Sequence, residues 1–190
     1  MPSEVTNDPS RRSALKCALG LGVGLAFAPS LTFAQGDPAS ARPVEGDLLV
    51  RSSDAAAQPL TAADIDQAGP VSAWAMSADG IVRRGTRLNA LLLLKFNVDQ
   101  LDEATKALAA EGVVAYTSIC THAGCDVDEW RPDEQLLSCA CHASVFDPKR
   151  GAKVVDGPAP RSLPALPLKS VGGRLVVAGP FTSRVGFESA

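Results

Sequence analysis

Cys120-Thr121-His122-Ala123-Gly124-Cys125 and Cys139-Ala140-Cys141-His142-Ala143-Ser144 form two short boxes separated by 13 residues. The chain has five cysteines and two histidines, and of these only Cys17 lies outside this window. An even set of four cysteines in an exported protein ordinarily suggests two disulfides. The histidines turn the reading toward a ligand cluster, because chance rarely gathers every histidine and nearly every cysteine in one place. Two thiolates and two imidazoles can hold a tetrahedral zinc ion or an iron–sulfur centre. At the level of residue chemistry, all three readings stand.

The rest of the chain sets the frame for these boxes. Its 190 residues suit one domain plus a removable or anchoring segment. A hydrophobic share of 46% and a charged share of 21% are ordinary for a globular protein. The 16 Gly and 14 Pro, with few aromatics, favour turns and short strands over long helices. A net charge of −3 gives no basic face for nucleic acid. Strands are expected at Asp47–Arg51, Leu91–Phe96, Val113–Ser118, Leu136–Ser138, Lys153–Val155 and Arg174–Ala178. Between two of them, Leu101, Ala104, Thr105 and Leu108 share one helical face, which predicts a short amphipathic helix from Asp99 to Ala110. The fold class is therefore all-β with one short helix.

The N-terminus carries a different message. Ser10-Arg11-Arg12-Ser13-Ala14-Leu15-Lys16 precedes an uncharged stretch that begins at Cys17. Paired arginines before a modest apolar run are similar to a bacterial twin-arginine export signal over residues 1–35, which implies a periplasmic protein. Thr32-Phe33-Ala34 offers small residues at the positions a signal peptidase reads, so cleavage is expected before Gln35. The 20 uncharged residues from Cys17 to Gly36 are also just long enough to span a bilayer. Uncleaved, the segment would give the protein a membrane contact.

The two boxes resemble those of the Rieske family of iron–sulfur proteins. That resemblance implies one 2Fe–2S cluster, with Cys120 and Cys139 binding one iron and His122 and His142 the other. It also implies a disulfide between Cys125 and Cys141, which clamps the two loops; a zinc site needs no such clamp. Imidazole ligands leave their iron more electron-poor than thiolates do, which places such centres at about −150 to +300 mV. The implied fold is one of stacked antiparallel sheets. A base domain of about 36–117 and 151–190 would carry an inserted cluster-binding subdomain of about 118–150.

Other positions take meaning from the same resemblance. Ser144 stands where high-potential members carry a hydroxyl that bonds a bridging sulfide and raises the potential. Phe146 stands where those members have a tyrosine, so an intermediate potential is expected. Gly157-Pro158-Ala159-Pro160 matches the proline-rich loop that covers the cluster. Asp126, Asp128, Glu129, Asp133 and Glu134, opposed only by Arg131, form a solvated acidic loop between the boxes. Both histidines are used as ligands, leaving none for a second metal, so an electron carrier without a substrate-converting site of its own is expected. Its implied partner is a larger redox subunit, with a c-type cytochrome as a further acceptor. Val113-Val114-Ala115-Tyr116-Thr117-Ser118, Phe146 and the cleavable signal resemble the small subunit of arsenite-oxidase-like molybdoenzymes. The Gly-Pro-Ala-Pro loop and the spanning-length segment resemble the Rieske subunit of quinol-oxidising cytochrome bc complexes. A free-standing periplasmic carrier is the third form of the same reading.

Overall fold

The computed structural model describes residues 36–187. The export segment and the cleavage position before Gln35 lie outside the described residues. Among the described residues, ten strands and one α-helical turn follow in chain order, with short 3-10 turns between them: β1 Leu48–Arg51, β2 Val71–Met76, β3 Leu91–Lys95, α1 Glu103–Lys106, β4 Val113–Thr117, β5 Glu129–Arg131, β6 Leu136–Cys139, β7 Ser144–Asp147, β8 Lys153–Asp156, β9 Leu168–Val171 and β10 Arg174–Val177. They form a six-stranded sheet ordered β4-β3-β2-β1-β10-β9 and a four-stranded sheet ordered β5-β6-β7-β8. Every pairing is antiparallel. The fold is thus mostly β.

The four leucines of β3 show how one run of sequence serves two cores. Side chains alternate across a strand. Leu91 and Leu93 enter the core inside the six-stranded sheet, with Leu49, Ala73 and Leu175. Leu92 and Leu94 face the other way, into a second core with Cys120, Leu137, Cys139 and Phe146. β4 divides likewise, with Val113 and Ala115 on one side and Val114 and Tyr116 on the other. A strand buried on both faces loses the polar alternation of a half-exposed one. At about 1.5–3 kcal/mol for each buried leucine, β3 is a principal hydrophobic contributor to both cores.

The large sheet curls. Leu166 N–H donates to Ala115 O at 2.9 Å, and Tyr116 bridges to Ala165, so the chain entering β9 returns to the β4 edge. The small sheet is inserted between β4 and β9 and is tied to the large one by polar contacts. The Tyr116 hydroxyl, buried in β4, donates to Pro148 O at 2.8 Å. Gly151 N–H donates to Thr105 Oγ1 of α1 at 2.8 Å. Because β8 pairs with β7, the cluster-side sheet continues to Asp156, beyond the boundary near residue 150 expected from sequence.

The helix expected from Asp99 to Ala110 is a single α-turn, Glu103–Lys106, preceded by a 3-10 turn, Val98–Gln100. Leu101 is extended, which ends the first turn, and Asp102 caps the second through its side chain and Thr105 N–H. Glu111 and Gly112 then turn the chain at φ +52° and +80°. Of the expected apolar face, Leu101 and Thr105 are buried and Leu108 is half-buried, but Ala104 is exposed, because one α-turn is too short to carry the face through the segment. No helix among the described residues is long and apolar enough to cross a membrane.

Candidate metal centre

Each box is a tight loop at the end of a strand. The first leaves β4 through Ile119 and closes on itself, with Cys120 N–H donating to Cys125 O at 2.8 Å and Gly124 N–H to Cys120 O at 3.1 Å. The second is the β6–β7 turn, in which Cys139 pairs with Ser144 and Ala143 takes φ +57°. The structure joins the two loops by a disulfide between Cys125 and Cys141.

Four side chains remain after the disulfide is formed. Cys120 and Cys139 are free thiols, 2% and 1% exposed. The rings of His122 and His142 meet edge to face, with centroids 4.5 Å apart. His142 is exposed and His122 half-buried. Sulfurs of Cys125, Cys139 and Cys141 also lie within 4.8 Å of one another, but two of these are committed to the disulfide. The unbridged donors are therefore two buried thiols and two imidazoles, each box supplying one of each.

This donor set fits a bound cluster on independent grounds. His122 Nδ1 is buried and has no hydrogen-bond partner. Such an orphan is costly unless something else engages the nitrogen. Burial raises the pKa of the Cys139 thiol, and the hydrogen bond and charge of Cys120 push in the same direction, against the Cys141 N–H. The Cys139 thiol is thereby a poor thiolate by itself, and coordination by iron would supply the missing stabilisation.

The surrounding residues fall where a cluster needs support. Ser144, 1% exposed, accepts Ala159 N–H through Oγ at 3.1 Å, which leaves its hydroxyl hydrogen to donate. Phe146 is fully buried in the core that contains Cys120 and Cys139. Gly157 turns the chain at φ +85°, and a Cβ there would lie 2.5 Å from Ser144 Cα, so the proline loop rests directly on the second box. Within that loop Ala159 is buried, whereas Pro158 and Pro160 are exposed. Trp130 is half-buried and packs against the same core.

Sequence reasoning did not assign Arg87, yet its guanidinium donates to Gly124 O at 2.8 Å and to Asp126 Oδ1 at 2.8 Å. Asp126 thereby leaves the free acidic set, and Glu134 lies 3.8 Å from Arg131. An isolated arginine in a turn carries no sequence signal for such a contact.

Fold and site together describe a small β domain in which two disulfide-joined loops present two thiols and two imidazoles. Residues 94–167 match the Rieske 2Fe-2S domain, and the chain carries that domain. Its cofactor is a single 2Fe–2S cluster, which supplies a one-electron couple when bound. The chain is 40% identical over 106 residues to a Haloferax mediterranei protein named as the Rieske subunit of a respiratory nitrate reductase. That match covers 55% of this chain and 47% of the relative. It is 36% identical over 99 residues to the cytochrome bc1 complex Rieske iron-sulfur subunit of Streptomyces lividans, covering 51% of this chain and 58% of that one. The chain thus spans about half the length of these relatives. A solved plasma membrane Rieske protein from Synechocystis PCC 6803 aligns with 62% of this chain and 93% of its own, at 24% identity and a TM-score of 0.41.

Proposed function

We propose that the protein is an exported electron-transfer subunit that passes single electrons between a larger redox subunit and an acceptor such as a c-type cytochrome. One observation carries the reading: a disulfide joins two loops that each supply one buried thiol and one imidazole, the two rings are in contact, and His142 is exposed. In this assignment Cys120, His122, Cys139 and His142 hold the cluster. The Cys125–Cys141 disulfide fixes the loops, and the exposed His142 edge is where electrons enter or leave. An imidazole bound to the cluster can lose its outer proton, so electron transfer through His122 and His142 would be linked to pH. The paired arginines at Arg11 and Arg12 support export to the periplasm by the twin-arginine route.

The first candidate partner is the large subunit of a periplasmic molybdoenzyme of the arsenite-oxidase type. Phe146 supports it, because a fully buried phenyl ring beside the thiols provides no hydroxyl to raise the potential. The relative named for respiratory nitrate reductase is compatible with a subunit role of this general kind. A second reading, the Rieske subunit of a quinol-oxidising cytochrome bc complex, is favoured by the resemblance to bc1 subunits and by the Gly157–Pro160 loop.

Purifying the C-terminally tagged chain from its native host tests the proposal. Co-purification with a large molybdenum-containing subunit is the expected result. A membrane complex with a b-type cytochrome would replace the first partner by the second. Isolation of a zinc-loaded or metal-free monomer would overturn both.

A further inference from the structure

The segment Ser183–Phe187 is tied to the first box through Arg161 and Gly124. Arg161, just after the proline loop, joins two segments. Its carbonyl accepts the hydroxyl of Thr121, a box residue only 1% exposed, at 2.6 Å. Its guanidinium donates to Gly186 O at 2.6 Å and reaches Ser183 Oγ at 3.5 Å. The next residue, Phe187, lays its ring against Gly124, so close that a Cβ on that glycine would sit 2.9 Å from Cδ1. Thr121, Arg161, Gly186 with Phe187, and Gly124 therefore close a ring of contacts around the box.

We propose that Arg161 and the segment Ser183–Phe187 form a positioning strap for the first box, holding Cys120 and His122 in register with the second. The proposal rests on the cluster ligation given above. The box itself is a six-residue loop closed by two backbone hydrogen bonds, and ligand geometry at a metal centre depends on such outer contacts. Phe187 is 48% exposed, more than a ring placed only to fill a core would be. Arg87, in the 3-10 turn before β3, also holds Gly124 O, so the strap completes a constraint that this turn begins.

Phe187→Ala, Arg161→Met and Arg161→Lys, each made in the full chain, test this. Hydrogen exchange at the Cys120 and Gly124 amides should quicken about tenfold in the first two variants, as expected for one lost hydrogen bond or packing contact. Amides of β2 and β3 should keep their rates. The electron paramagnetic resonance spectrum of the reduced cluster should broaden, and Arg161→Lys should recover part of both effects. Unchanged exchange in the box, or equal acceleration in β2 and β3, overturns the strap. An unsubstituted chain that shows no 2Fe–2S signal overturns the ligation, and the exchange rates then still decide whether the strap orders the box.

Discussion

Ser144 has two tasks at one oxygen. It accepts the N–H of Ala159, a residue 8% exposed, and its hydrogen is left for a second partner. Ser144→Ala should therefore lower stability by about 1–3 kcal/mol, the cost of a buried donor left unpaired. It should also lower the reduction potential, since a donor stabilises the more negative reduced cluster. A bond worth about 1 kcal/mol more in the reduced state corresponds to roughly 40 mV for a one-electron couple. Phe146→Tyr should act in the opposite sense and raise the potential by a similar amount, provided that its hydroxyl meets a ligand sulfur. Film voltammetry reads both, and a Tyr variant with no upward shift would remove Phe146 from the list of tuning residues. The candidate site was unusually legible at this scale, because its residues are rare types at fixed spacing. Arg87 and Arg161 were not, since they act through backbone carbonyls that only the folded chain brings within reach.

Elements were read where their cause is local. Leu91–Lys95 and Val113–Thr117 are apolar runs and were recognised as strands to within a residue. β2, β5, β7 and β9 went unassigned. Val71–Met76 does alternate in burial, but Ser and Ala weaken its pattern, and Glu129–Arg131 is a polar edge strand defined by its partner β6. Such strands owe their form to register and tertiary pairing, which propensity does not report. Two predictions belong here. Gly157→Ala combines a left-handed backbone with a clash against Ser144, so a loss of about 3 kcal/mol is expected, measured by denaturant unfolding. Asp102 caps α1, and its hydrogen bonds from Thr105 hold the carboxyl below its ordinary value of 3.8. A depressed folded value contributes stability above the ordinary pKa, and that contribution is lost as pH falls through the folded value. Asp102→Ala should thus cost about 1 kcal/mol at pH 7, and the difference from the unaltered chain should shrink in melts taken below about pH 4.

For the molecule as a whole, the question is how far stability and redox chemistry are separable. The Asp47–Arg83 pair provides the means to ask it. Arg83 Nε donates to Asp47 Oδ2 at 2.5 Å and Nη2 to Oδ1 at 3.0 Å, and both side chains are nearly out of water at 11% and 4% exposure. Asp47 also accepts Val44 N–H at 3.0 Å, so one carboxylate joins the approach to β1 with the segment after β2. This hydrogen bonding raises the pKa of Arg83, which stays charged at any working pH. Asp47→Ala would leave that charge buried without a partner, at a cost of about 3–5 kcal/mol. For a domain of this size the melting temperature should fall by about 10 °C. Replacing both residues together, as Asp47→Leu with Arg83→Met, should restore much of the loss, because a packed apolar pair avoids the desolvation penalty. Neither residue belongs to the second core, where Cys120 and Cys139 lie. Both variants should therefore keep the cluster's potential within a few tens of millivolts of the parent, less than one hydrogen bond to the cluster would move it. A large shift with the strands still folded would mean that the six-stranded sheet sets the electronic state of the centre as well as its position, and that the two sheets act as one redox unit.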